Sequence, residues 1–156
     1  MHLSRKSIRL KGFDYRSSGA YFITICSTQR HDIFGRILDN ADVAFSAIGH
    51  IVNLCWQQIP DHCSHVQLDH YVIMPNHLHG IIILDCDDLR FPNTPGITDR
   101  SLNARSRALS RVIGSFKAAS TKIVRRECDY RSPTIWQRNY FERVIRDERE
   151  LMLIRQ

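Results

Sequence analysis

Two histidines one residue apart, His77 and His79, are the side chains of this chain best placed for chemistry. They stand in Met74-Pro75-Asn76-His77-Leu78-His79, and Gly80-Ile81-Ile82-Ile83-Leu84 follows directly. The apolar, β-branched run reads as a strand. Side chains of a strand alternate between faces, so the two imidazoles share one face, with Cα atoms roughly 6–7 Å apart. Two imidazoles at that spacing can converge on one metal ion, while Leu78 turns to the opposite face and anchors in a core. A bare His-x-His also describes two ordinary histidines of a half-buried strand, so the surroundings decide.

Those surroundings begin with Tyr71-Val72-Ile73-Met74, a second apolar run, joined to the first by Pro75-Asn76. Proline presets the first corner of a tight turn and asparagine tolerates the second, so the segment reads as a hairpin over 66–84. A two-residue turn sets His79 opposite Val72 and Ile81 opposite His70, which brings His70 to the histidine face. A one-residue slip removes it. Upstream, Tyr21 to Cys26 reads as a strand, with Cys26 as a small core residue. The stretch 30–40 reads as a loop. Apolar residues recurring from Val43 through Ile48, Ile51, Val52, Leu54 and Cys55 predict a helix over 41–58, ended by Pro60. Downstream come a polar loop over 85–103, a helix over 104–127, a strand within 134–145, and a last helix opened by the capping pair Asp147 and Glu150. Strand, helix, hairpin, helix, strand, helix predicts an α+β fold: one ferredoxin-like antiparallel sheet with helices packed on one face.

A chain of 156 residues is long enough for a single domain over 1–156 with its own core. No run reaches the length of a membrane span, and the polar start has no apolar signal segment. The cysteines number five, an odd count with no Cys-x-x-Cys, which fits reduced thiols of the cytoplasm better than a disulfide framework. The net charge of +6 favours a polyanionic partner. In the cytoplasm that points to nucleic acid.

The 104–127 helix strengthens this reading. At 100° per residue, Leu109, Val112, Ile113, Phe116 and Ile123 share one side, and Arg107, Arg111, Lys122 and Arg125 gather on the other. A row of cations can track phosphates, although a solvated face needs no ligand. Trp136, Tyr140 and Phe141, beside Arg138 and Arg143, offer either core aromatics or surfaces for stacking bases.

Taken together, these segments resemble the IS200-like single-tyrosine (HUH) transposases, and most of all the REP-associated tyrosine transposase branch. The resemblance runs through Gly19-Ala20-Tyr21-Phe22-Ile23-Thr24-Ile25-Cys26, Val72 to His79, Phe116-Lys117, and Ile135-Trp136-Gln137-Arg138-Asn139-Tyr140-Phe141-Glu142, continuing into Ile145-Arg146-Asp147-Glu148. It implies a ferredoxin-like fold and His77 and His79 as ligands of Mg²⁺ or Mn²⁺. It implies cleavage and rejoining of single-stranded DNA, often beside a hairpin, and adds Lys117 and Arg138 to the residues expected on DNA. The active site is expected within one chain or across a homodimer. In this chemistry a tyrosine hydroxyl, with a pKa of about 10, attacks a phosphodiester. A metal on the phosphate withdraws charge and orients the group. Mg²⁺ prefers oxygen ligands, so phosphate and water are expected to complete the shell around two imidazoles.

One departure concerns the nucleophile. The resemblance places it on the last helix, in a Tyr-Ile-x-x-Asn or Tyr-Ile-x-x-Gln pattern, and here that position is expected just beyond Gln156. The helix has a start signal but no stop signal, which fits a truncated end. Within the chain, Tyr140 is the fallback nucleophile and Tyr130 a second. Two other readings stay open: a catalytically dead DNA-hairpin-binding module derived from a transposase, and a metal-storage or sensor domain using His70, His77 and His79.

Overall fold

The computed structural model describes residues 19–84 and 108–155. Four strands make one sheet: β1 (Gly19–Cys26), β4 (Val66–Met74), β5 (His77–Leu84) and β6 (Phe141–Ile145). Their order across the sheet is β4-β5-β1-β6, with every neighbouring pair antiparallel. The first and third of these strands are central and the second and fourth lie at the edges, which is the ferredoxin-like arrangement. A small hairpin of β2 (Gly35–Ile37) and β3 (Val43–Phe45) stands apart from the sheet.

Helix α1 (Ala47–Gln57) and helix α3 (Ala108–Glu127) cover one face of the sheet, with the short α2 (Ile59–His62) between α1 and β4. The apolar stripe of α3 lies inward as its periodicity predicts: Leu109, Val112, Ile113 and Phe116 are buried and Ile123 is half-buried. They meet Tyr21, Ile23 and Ile25 of β1, Leu78 and Ile82 of β5, and Trp56 of α1. Trp56 stands edge-on to Phe116 with ring centroids 5.2 Å apart. Its ring lies directly on Gly80, where a Cβ would come within 2.5 Å of Cζ2. The strand that carries both histidines is therefore seated on the core at the one residue without a side chain.

Two expectations need correction. Helix α1 begins at Ala47, because Ser46 caps it there: its Oγ accepts from the Gly49 amide at 3.1 Å and donates to the Ile33 carbonyl at 2.6 Å. Val43, counted in the helical period, belongs to β3, so the expected loop and helix start are partly a hairpin. Pro60 does not simply end α1. It occupies the first turn of α2, where its missing N–H costs nothing.

The last helix, α4 (Glu148–Ile154), starts as the capping pair predicts. Asp147 accepts from the Glu150 amide at 2.8 Å, and the Glu150 carboxylate accepts from the Arg146 amide at 2.9 Å. The helix leaves the β6 edge, and Arg155 at its end donates through Nε at 3.1 Å and through Nη2 to Asp69 of β4, the opposite edge. With α1 and α3 filling one side, α4 takes the other. On that side Ile81 and Ile145 are buried although they point away from the helix-covered core.

Candidate functional site

Strand alternation puts His77 and His79 on the side that α1 and α3 leave open, because Leu78 and Gly80 face the core. Met74 and Cys26 flank His77 across the sheet, and Val72 and Thr24 flank His79. Cys26 is thus a half-buried neighbour of His77 rather than the core residue expected. The two imidazoles stand 4.6 Å apart at their centroids, nearly perpendicular at 76°.

Each ring is held through Nδ1. His77 meets Asn76 Oδ1 at 2.7 Å, and an amide oxygen only accepts, so the proton lies on Nδ1 and the lone pair on Nε2. His79 Nδ1 meets Thr24 Oγ1 at 2.8 Å, and Phe22 stacks on the same ring at 5.4 Å and 20°. The turn before them is pinned as well: the Pro75 carbonyl accepts from Phe34 at 2.9 Å and the Asn76 carbonyl from Ser27 at 2.8 Å. Burial, then the charge of Arg30, pushes the His77 pKa below its ordinary value. Burial, then His77 itself, does the same for His79. Both rings are therefore disposed to be neutral at pH 7, the form that ligates metal.

This donor set fits a divalent cation of one kind of site. Two oriented imidazoles, each with Nε2 left for a ligand, can hold an ion whose remaining positions are filled by phosphate oxygens and water. Among the described residues no third His, Cys, Asp or Glu joins them. His70 does not share the site. The β4–β5 register breaks between Leu68 and Tyr71, and in that bulge His70 is exposed and bonded through Nδ1 to Asp69 at 2.7 Å. The pairing of His79 with Val72 does follow the two-residue turn.

The tyrosines lie elsewhere. Tyr140 packs against the helix-side core, its hydroxyl 3.2 Å from Ser110 Oγ on α3. The sheet separates it from the histidines, so the structure does not bring the fallback nucleophile to them. Tyr21, Tyr71 and Tyr130 also belong to or pack on that core.

The expected DNA contacts divide. Lys122, Arg125 and Arg138 line a groove of about 1130 Å³ along α3, together with Arg126 and Arg131, which the sequence reading missed. Arg111 is exposed and continues the helical row toward the start of α3, outside the groove. Arg107 lies outside the described residues. Lys117 touches the groove but is already engaged: its ammonium donates to the carbonyls of Gln137 at 2.9 Å, Asn139 at 3.0 Å and, more weakly, Arg138 at 3.4 Å. Three donors meet three acceptors, so Lys117 fastens the 137–139 segment instead of offering itself to a phosphate. Burial pushes its pKa down to about 8. Trp136 is buried with its indole N–H on Ser120 Oγ at 2.9 Å, whereas Phe141, on the histidine side, is 54% exposed.

The fold and the oriented histidine pair define an α+β protein with a ferredoxin-like sheet and a polar site on its open face. No protein-family model matches the chain. It is 40% identical over 154 residues to a Haemophilus influenzae protein that carries the name "Uncharacterized protein", a match covering 96% of this chain and 83% of that one. The chain belongs to the family of that protein. Among solved structures it is similar to a REP-associated tyrosine transposase bound to a REP hairpin, with a TM-score of 0.50 and 17% identity over 99% of this chain and 68% of that one. At that identity the likeness is one of fold. A chain from Deinococcus radiodurans R1, 12% identical with a TM-score of 0.49, adds no argument. No helix among the described residues is long and apolar enough to cross a membrane.

Proposed function

We propose that this protein acts on single-stranded DNA as a metal-assisted tyrosine transposase, with His77 and His79 as ligands of Mg²⁺ or Mn²⁺. The observation that carries the reading is the orientation of the two rings: each Nδ1 is tied down, by Asn76 and by Thr24, and each Nε2 is left for a ligand. The bound ion would polarise the scissile phosphate. The chain's own residues position the DNA around it. The groove cations Lys122, Arg125, Arg126, Arg131 and Arg138 neutralise backbone phosphates without reading sequence. Phe141 offers an open ring for base stacking on the histidine side. Thr24 and Asn76 keep the ligand rings in one orientation.

A second reading, a DNA-hairpin-binding module that cuts nothing, is favoured by one observation. Every described tyrosine lies on or in the helix-side core, away from the histidines. One experiment separates the two. The protein is incubated with hairpin-bearing single-stranded DNA and Mn²⁺, then run on a denaturing gel. A Mn²⁺-dependent covalent adduct, lost in His77→Ala by about 100-fold or more, supports the transposase. Salt-sensitive DNA binding with no adduct supports the binding module, and no binding at all sinks both.

A further inference from the structure

The loop that follows β1 carries two consecutive residues in left-handed backbone, Gln29 at φ 51° and Arg30 at φ 55°. Neither is the glycine or asparagine that such angles favour, and each costs free energy unless its surroundings impose it. The surroundings do so here. The Ser27 amide donates to Asn76 at 2.8 Å, Phe34 to Pro75 at 2.9 Å, Thr28 to Ile135 at 2.8 Å, and the buried Ser27 hydroxyl to His31 at 2.7 Å. The loop is thereby stitched on one side to the turn that precedes His77. On the other it is stitched to the 135–138 segment that borders the basic groove.

Arg30 stands at the crossing of these two. It is exposed, and among the described residues it has no carboxylate partner. Its guanidinium lies close enough to His77 to act on it electrostatically. A fixed cation beside a site for a divalent cation is unfavourable unless an anion comes between them.

We propose that Arg30 is a phosphate-contacting residue of the histidine site, held in strained backbone so that its guanidinium and the ion on His77 and His79 grip one DNA phosphate together. This rests on the reading of the two histidines as metal ligands. Its consequence is coupling: without DNA, Arg30 opposes the metal ion, and with DNA the shared phosphate turns opposition into mutual support. A planar guanidinium suits the role, since it can present two N–H groups to phosphate oxygens.

The test measures Mn²⁺ affinity by electron paramagnetic resonance, with and without a hairpin-bearing single-stranded oligonucleotide. It compares the unaltered protein with Arg30→Asn, Arg30→Lys and His77→Ala. Asparagine tolerates left-handed backbone, so Arg30→Asn should unfold at the same temperature or higher. A clear fall would make Arg30 a structural residue and overturn the proposal. Arg30→Asn alone should bind Mn²⁺ at least as tightly as the unaltered protein, and the gain in affinity brought by DNA should shrink by about tenfold. Lysine should restore part of that gain. An unchanged gain in Arg30→Asn overturns the role of Arg30 while leaving the histidines as ligands. Undiminished Mn²⁺ binding in His77→Ala overturns the histidine reading and this proposal with it.

Discussion

The two faces of the sheet treat polar side chains in opposite ways. On the helix-covered face they are spent on one another: Tyr140 with Ser110, Trp136 with Ser120, Tyr71 with Asn53 at 2.9 Å, and Lys117 with three carbonyls. Burial demands this, since an unpaired polar group in a core costs about 1–3 kcal/mol. On the open face the polar contacts stop halfway. Thr24 and Asn76 take one nitrogen of each imidazole and leave the other. A side chain that is half-committed in this way is held still and remains reactive, and that distinguishes a site from a satisfied interior.

The contrast can be broken first where the faces meet. Gly80→Ala drives a Cβ into the buried Trp56 ring, and we expect a loss of about 2–3 kcal/mol in chemical denaturation. The displaced strand should carry the histidines with it, so Mn²⁺ affinity should fall as well. Next comes the helix side alone. Lys117→Met strands three carbonyls and should cost about 2 kcal/mol, with Mn²⁺ affinity of the folded protein unchanged. If affinity fell in parallel, the two faces would not be independent. The open face alone gives the reverse pattern. Thr24→Val frees the His79 ring, so Mn²⁺ affinity should fall about tenfold while the unfolding midpoint barely moves.

The smallest expected effect comes from acid. Burial alone would raise the Asp69 pKa, but hydrogen bonds from Arg155 and His70 and the charge of Arg155 outweigh it and bring the group down to about 2. A carboxylate depressed in the folded state stabilises it above the unfolded value near 3.8, and that contribution fades as pH falls toward 2. Comparing the protein with Asp69→Asn from pH 5 to pH 2 should show a difference of about 1 kcal/mol that vanishes at the acid end.

Much of this architecture was legible in the residues. The β-branched runs around Pro75-Asn76, the stripe of α3 and the capping pair at Asp147 each encode one local structure, and all three appear where expected. What escaped was set by tertiary contacts. Strands β2 and β3 have only three residues each, too few for alternation to register, although Ser46 marked the true start of α1. The bulge at Asp69 and His70 interrupts a pairing that simple counting carries straight through, which is why His70 seemed to share the histidine face. The side of the sheet on which Tyr140 lies depends on where β6 enters the register, and no spacing within 134–145 fixes that. The left-handed pair at Gln29 and Arg30 has no sequence signal, because the residues that favour such angles are absent from it.

The bulge in β4 has a consequence beyond the site. An edge strand offers its free amides and carbonyls to any passing chain, and a long flat edge invites stacking of one molecule on the next. Here the ladder on that edge is broken in the middle, with a salt bridge to Arg155 and an exposed imidazole at the break. A foreign strand could match only one short half at a time. The irregularity that removes His70 from the histidine pair also guards this edge against aggregation.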